Sequence, residues 1–394
     1  MKVALVHDWL TGMRGGERCL EALCELFPDA PIYTLFYVKG SVSETIERHP
    51  IIPSFLNEIP FAKSRYRYFL PFFPSAIQRL NFQQYDLVVS SSHCVAKGIR
   101  VPHETCHISY VHTPMRYIWD GFETYFGSTG LWNFGRLGMG LFRARLQQWD
   151  VESNDHVNHF IANSHNVAER IIRQYGRSAC VVYPPVDWQA FQVSHRHEGF
   201  YLMVTAFAPY KKVDLAIAAA NELRLPLKII GQGQDEKRLR RMAGPTVEFL
   251  GWQPDHCVRD YYSRCLAVLF PGEEDFGIVP LEAMASGKPV IAYGRGGALE
   301  TIVPLNPLPQ QGSIQSKPGA QASRSQAGLT GVFHYEQSVQ AIIDAIQLFT
   351  EHLTDFDPEA IRAHVEPFDR SHFKEQVQQV IMSGYHEFRH TPLC

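Results

Sequence analysis

The chain has 394 residues, 45% hydrophobic and 20% charged, with a formal net charge of −3. That length exceeds one typical domain and points to two. The near-neutral balance excludes the strongly basic class of chains, so no nucleic acid is expected as a partner.

The opening "MKVALVHDWL" has an apolar run of only four residues, Val3 to Val6, before His7 and Asp8. This is too short for a signal sequence, and no stretch approaches the roughly 18 apolar residues of a membrane span. The eight cysteines form no C-x-x-C pair and no zinc spacing, so they read as reduced thiols in a cytoplasmic protein.

Short β-branched runs then alternate with helical patterns: "VALV" (3–6), "LVVS" (87–90), "HISYVH" (107–112), "FIAN" (160–163) and "CVVY" (180–183). This is the rhythm of βαβ units around a parallel sheet. After the first strand, "HDWLTGMRGGE" places Gly12, Gly15 and Gly16 in a loop opening a helix, suited to approach a phosphate or sugar. A plain tight turn is the other reading. The spacing G-x-x-G-G is not the dinucleotide fingerprint, which argues against a dehydrogenase.

Two segments join arginines to aromatics. "FAKSRYRYFLPFFPSAIQRLNF" (61–82) carries Lys63, Arg65, Arg67 and Arg79 and no acid, and "LWNFGRLGMGLFRARLQQW" (131–149) carries Arg136, Arg143 and Arg145. Each fits an amphipathic face on an anionic bilayer, or a core-facing aromatic stripe with solvated arginines.

"VYPPVD" (182–187) halts regular structure. The rhythm restarts with "FYLMVTA" (200–206), "LKIIG" (227–231), "VEFLG" (247–251), "AVLF" (267–270) and "PVIAY" (289–293). Two doubly wound halves, each with its ligand site at the carboxyl ends of its strands, are expected to face each other across a cleft. Residues 304–329 are Gln, Ser, Pro and Gly with few apolar side chains and read as a mobile insertion. "DFD" (355–357) mimics a metal-binding D-x-D, but Pro358-Glu359 follows, so Asp357 reads as a helix N-cap with Pro at N1.

The densest chemistry lies in "FPGEEDFGIVPLEAMASGKPVIAYGRGGALETI" (270–302). Pro280 suits the first turn of a helix and Gly287 its left-handed stop, leaving about two turns. Glu282 is then expected in the first turn, beside amides that attract a phosphate, with Gly277 allowing close approach. Glu282 and Glu274 could each accept hydrogen bonds from hydroxyls flanking that anion. A capping glutamate beside a solvated "EED" run is the plainer reading.

Residues Glu274 to Ala292, continuing through Gly296, Gly297 and Glu300, strongly resemble the signature of the retaining GT-B glycosyltransferases of family 4. "GGERCLEAL" (15–23), "SSHCVAKGI" (91–99), "YVHTPMRYIWD" (110–120), "FIANSHNVAERI" (160–171) and "APYKKVDLAI" (208–217) agree. They look most like the branch of bacterial O-antigen and exopolysaccharide mannosyltransferases.

The resemblance implies an N-terminal acceptor-side domain over 1–190 and a donor domain over 191–370, with a terminal helix over 371–394 returning to the first. It implies transfer of a hexose, mannose from GDP-mannose above all, to a glycan or lipid-linked acceptor. UDP-sugars fit the same residues, as does a sugar-nucleotide epimerase. Glu274 would hold donor-sugar hydroxyls and Glu282 the ribose. The backbone of Phe276, Gly277 and Ile278 would face sugar and phosphates, and Lys211 would neutralise the diphosphate.

An ammonium beside a helix N-terminus can stabilise a leaving diphosphate without metal or cofactor. Gly231 and Gly233 would approach the nucleotide, with the loop from Phe249 to Gln253 near the base. His112, at a strand end where the family keeps an active-site histidine, would bond the donor sugar or orient the acceptor. Asp8, His93, Lys97, Arg116 and Ser164 are lesser candidates, each equally read as a satisfied polar group. One departure stands out: the family's arginine five residues before the lysine is Ala206 here. Lys212 is a substitute without the bidentate fork, and a silent nucleotide-sugar-binding subunit is the alternative this departure opens.

Overall fold

The computed structural model describes residues 1–60, 63, 66–116, 118–119, 133–307 and 328–390, with the backbone alone for 66–68 and 133–142. The chain divides into two compact units, Met1–Pro185 with Arg370–Cys394, and Val186–Asp369.

The first unit is built on a seven-stranded sheet in the order β3-β2-β1-β4-β5-β6-β7. Its strands are β1 (Val3–Leu10), β2 (Ile32–Tyr37), β3 (Ile51–Pro53), β4 (Leu87–Ser92), β5 (Cys106–Val111), β6 (His159–Ala162) and β7 (Cys180–Val181). Every pairing is parallel. The central strands β1, β4 and β5 are buried almost throughout, as a sheet covered on both faces requires.

Two strands went unread in the sequence. β2, "IYTLFY", is buried on both faces and so lacks polar alternation. β3 spans three residues and ends at Pro53, which only a sheet edge accommodates.

The helix Arg370–His390 completes this unit, sending Phe373, Val377 and Ile381 into the same core as Leu5, Leu23 and Tyr110. Arg370 also pairs with Glu21 (2.9 Å) and Glu25 (2.6 Å) on the helix Gly15–Leu26. Residues 391–394 of the expected terminal helix lie outside the described residues.

Lys97 proves to be part of the scaffold. Its fully buried ammonium donates to the Asp150 carbonyl (2.6 Å) and Ser153 Oγ (2.9 Å), and lies 3.1 Å from Asp150 Oδ1. It also sits 4.6 Å from the centre of the Tyr175 ring. Asp150 Oδ2 accepts from Trp119 Nε1 and Tyr175 Oη, so one buried charge pair pins the end of the helix Asn133–Glu152. Burial pushes the Lys97 ammonium below its usual range, while Asp150 opposes that shift.

The second unit carries a six-stranded sheet, β10-β9-β8-β11-β12-β13. Its strands are β8 (Tyr201–Val204), β9 (Leu227–Ile230), β10 (Val247–Gly251), β11 (Ala267–Phe270), β12 (Val290–Tyr293) and β13 (Gly331–His334), again all parallel.

The expected insertion needs its ends corrected. Leu305 N–H bonds the Gly331 carbonyl, and Asn306 exchanges two side-chain bonds with the Phe333 backbone (2.8 and 2.9 Å). These bonds make 304–306 an extension of the sheet edge, while 308–327 lie outside the described residues.

Asp357 caps the helix Pro358–Ala363, accepting from the amides of Glu359 and Ala360. Asp357→Ala should lower stability by about 1 kcal/mol in urea denaturation, the usual cost of a lost cap. Lys97→Ala, which strands the buried Asp150 charge, should cost about 3–5 kcal/mol in the same assay.

Candidate functional site

In the second unit the carboxyl ends of the strands are crowded with backbone that only glycine admits. A Cβ on Gly272 would lie 2.9 Å from the Tyr210 carbonyl oxygen and 3.0 Å from Lys211 Cα. One on Gly296 would lie 2.3 Å from the Glu274 carbonyl oxygen, and one on Gly297 would lie 2.2 Å from Phe276 Cα. Gly297 N–H bonds that same Glu274 carbonyl (2.9 Å). The loops after β8, β11 and β12 are therefore locked together, and the lock carries Lys211 to Glu274. Their side chains form an ion pair, 18% and 17% exposed, so neither charge is well solvated without the other.

Gly277, at φ +86°, turns the chain into the helix Ile278–Ala285 and, as its N-cap, supplies no side-chain cap. Gly287, at φ +71°, follows its end. Phe276 is buried, while Gly277 and Ile278 are half-buried. The helix starts two residues before Pro280, so Glu282 falls in the second turn rather than the first. It is not a cap. Its Oε2 accepts from Tyr262 Oη (3.0 Å) of the helix Asp255–Arg264. Burial, together with the Glu282 charge, pushes the Tyr262 hydroxyl well above its usual range and keeps it a donor.

Gly231 and Gly233 have a structural reason of their own. A Cβ on either would meet the backbone of Thr205 (1.8 Å) or Phe207 (2.5 Å). The strand-end loops pack there, with Ala206 exposed between them. Lys212 adopts the left-handed conformation, φ +53°, rare for a side chain other than glycine. It precedes the helix Val213–Leu223, whose N-terminus no side chain caps. An ammonium, two helix N-termini and two carboxylates thus share one sheet edge, which can hold an anion between hydroxyl-bearing groups.

The first unit brings a second group together. His112 lies one residue past β5, and its Nε2 is 2.8 Å from Ser91 Oγ. Ser91 is in turn 3.1 Å from His7 Nδ1. Gly16 packs against both imidazoles, since a Cβ there would come within 3.4 Å of His7 and 3.6 Å of His112. Gly15 begins the helix that carries Glu17, whose Oε1 is 3.8 Å from His7 Nε2. Burial would push the Glu17 carboxyl up, yet His7 and His93 nearby hold it below the usual range. Burial, reinforced by His93 and His7, drives His112 well below its ordinary value, so it is neutral at neutral pH.

Asp8 accepts four backbone N–H bonds, from His93 (2.7 Å), Cys94 (2.9 Å), Val95 (2.6 Å) and Ala96 (2.8 Å). Its carboxylate also lies 3.1 Å from His93 Nδ1. Asp8 is the anchor of the loop after β4. Ser164 is a helix cap, accepting from Val167 N–H (3.1 Å), and Arg116 lies in the turn after β5. His7, Glu17 and Ser91 were not singled out in the sequence. The "HD" pair inside an apolar strand was the signal, because a buried strand seldom carries two polar residues without partners for them.

The arginine-aromatic segments divide. Phe73 and Phe82 belong to the core with Trp9 and Phe36. Arg143 is only partly exposed and turns its guanidinium to the backbone. It donates to the carbonyls of Ile118 (2.9 Å) and Trp119 (3.2 Å), which would otherwise lack those partners. Phe72 and Arg145 are exposed, as is Lys63, and Arg79 lies 5.1 Å over the exposed Phe55 ring. Arg65 and the side chains of Arg67 and Arg136 lie outside the described residues. Among the described residues, no helix is long and apolar enough to cross a membrane.

Comparison with known proteins places this geometry. The family described as "Glycosyltransferase Family 4" matches residues 13–189, and "Glycosyl transferases group 1" matches residues 187–352. A GDP-mannose-dependent alpha-mannosyltransferase of Mycolicibacterium smegmatis is 38% identical over 190 residues, covering 42% of this chain and 48% of the relative. The O-antigen chain mannosyltransferase C of Escherichia coli is 33% identical over 118 residues, 27% of this chain and 32% of the relative. An uncharacterized glycosyltransferase of Methanocaldococcus jannaschii is 34% identical over 133 residues, 32% and 37% of the two chains. The matches thus span between a third and a half of these relatives' length.

Among solved structures, Anabaena HepE in complex with UDP superimposes with a TM-score of 0.69 at 18% identity, covering 97% of this chain and 100% of that one. Sucrose-phosphate synthase from Thermosynechococcus elongatus gives 0.69 at 15% identity, covering 98% and 100%. With its two parallel sheets and both family patterns end to end, the chain belongs to glycosyltransferase family 4 and is a glycosyltransferase of the GT-B fold.

Proposed function

We propose that this glycosyltransferase moves mannose from GDP-mannose, with retention at the anomeric carbon, to a glycan or lipid-linked acceptor in polysaccharide or lipopolysaccharide assembly. The observation that carries the reading is the Lys211–Glu274 ion pair at the strand ends that meet the helix Ile278–Ala285. Lys211 neutralises the donor diphosphate as the bond to the sugar breaks, assisted by the first-turn amides. Glu274 receives sugar hydroxyls, and Glu282, steadied by Tyr262, receives those of the ribose. Gly277 and Ile278 give backbone contact with the phosphates. Gly231 and Gly233 shape the nucleotide side, and His112, with Gly15 and Gly16, serves the sugar. No metal or other cofactor is needed in this scheme, because the positive charge is already in place.

Mannose and GDP are supported by the Escherichia coli and Mycolicibacterium smegmatis relatives, whose names carry them. A UDP-sugar donor is the second reading, favoured by the UDP held in the Anabaena HepE structure. A panel of GDP, UDP and ADP in thermal-shift assays separates the two.

Lys211→Ala and Glu274→Ala should each reduce turnover by about a hundredfold or more, with far-UV circular dichroism unchanged. Full activity in both would remove the site assignment.

The acceptor reading places the protein at the cytoplasmic face of an anionic membrane, through the 61–82 and 131–149 segments. Exposed Phe72, Lys63 and Arg145, with Arg79 over Phe55, are the described side chains that favour it. Flotation with anionic liposomes should be strong at low salt, fade at high salt and weaken in Phe72→Ala. Absence of flotation at low salt would end this part.

A further inference from the structure

Three residues that the reaction scheme leaves unused, Glu17, His7 and Ser91, form a line leading to His112. With one proton on each imidazole, proton accounting along that line has two solutions. Ser91 has one hydroxyl proton and stands between two imidazole nitrogens, His7 Nδ1 at 3.1 Å and His112 Nε2 at 2.8 Å. It donates to one ring and accepts from the other.

Suppose Ser91 accepts from His7. Then Nδ1 carries the proton of His7, and the bare lone pair of its Nε2 points at the Glu17 carboxylate 3.8 Å away. Both groups are shielded from water, with exposures of 0% and 3%, so this repulsion is little screened. Suppose instead that Ser91 donates to His7 Nδ1. Then Nε2 of His7 carries the proton and faces the carboxylate, which is attractive. His7 Nε2 is buried and, among the described residues, has no hydrogen-bond partner, so the Glu17 carboxylate 3.8 Å away bears directly on its state. A His7 ring carrying both protons would instead donate to Ser91 and leave the His112 proton on Nδ1, an outcome that the His112 ring spectrum distinguishes; with neutral rings the second arrangement prevails. Ser91 Oγ then accepts from His112, which fixes the His112 proton on Nε2 and leaves the lone pair on Nδ1.

We infer that Glu17 is a positioning residue for glycosyl transfer: acting through His7 and Ser91, it holds His112 in the Nε2–H tautomer, so that His112 meets a sugar hydroxyl as a hydrogen-bond acceptor. The inference rests on the proposed placement of His112 at the sugar. It also narrows that role, since this histidine receives a hydroxyl proton in a hydrogen bond and does not supply one. The half-buried Gly16 borders the same line, where a Cβ would rest in van der Waals contact with both rings.

The test is long-range ¹H–¹⁵N correlation of histidine rings in the full-length protein, with the His112 signals assigned by loss in His112→Gln. The expected pattern has Nε2 protonated and Nδ1 imine-like. In Glu17→Gln, which keeps an oxygen to accept from the Arg14 amide but removes the charge, the His112 pattern should move toward protonated Nδ1. kcat should fall about tenfold with KM for the donor changed little, a split that simple loosening of the fold would not produce.

Ser91→Ala cuts the line, so adding Glu17→Gln to it should change neither the spectrum nor kcat further. Protonated Nδ1 in the parent protein, or an unchanged His112 pattern in Glu17→Gln, would overturn the inference. If Glu17→Gln does not fold, Ser91→Ala must show the same tautomer change, and an unaltered pattern there overturns it equally. Failure of the underlying site reading looks different: His112→Gln would then retain full activity whatever the tautomer.

Discussion

Loops at the carboxyl edge of the six-stranded sheet touch backbone to backbone, and the rest of the geometry at that edge follows from those contacts. Gly272 lies under Lys211, and Gly296 and Gly297 lie against Glu274 and Phe276, at separations where a single Cβ would overlap main-chain atoms. Main-chain atoms cannot be displaced as a flexible side chain can, so the three loops hold one arrangement. An ammonium and a carboxylate from different loops are consequently brought into contact without either being well solvated. Such a pair is costly to break by mutation of one partner.

The seven-stranded unit solves a different problem with similar economy. Its central strands are buried on both faces, yet β1 carries His7 and Asp8, and β4 ends in three serines. Each of these polar groups needs a partner. Asp8 finds four amides in the loop after β4, and His7 finds Ser91. The result is a rigid polar line at the strand ends, terminating at a histidine that burial keeps neutral. Lys97, in the loop that follows β4, belongs to the scaffold through Asp150.

Much of this was legible in the chain itself. Alternation of β-branched runs with helical patterns identified two parallel α/β halves, because strands covered on both faces must be apolar. The stretch from Glu274 to Glu300 pointed to the family by its resemblance to a known signature, not by spacing alone. Asp357 was readable as a cap from Pro358 alone. β2 and β3 were not readable, one for want of alternation and one for shortness.

What only tertiary structure decided is which partner each polar side chain takes. Glu282 was expected in the first helical turn by counting from Pro280, but the helix starts at Ile278 and Tyr262 claims the carboxylate. Gly231 and Gly233 looked like ligand contacts and make room for the 205–207 backbone. Arg143 looked like a surface charge and serves two carbonyls. Secondary structure follows from local periodicity and turn chemistry, which a sequence displays directly. Hydrogen-bond and ion-pair partners are set by contacts between residues far apart in the chain, as with Glu17, His7, Ser91 and His112, and only folding brings those together.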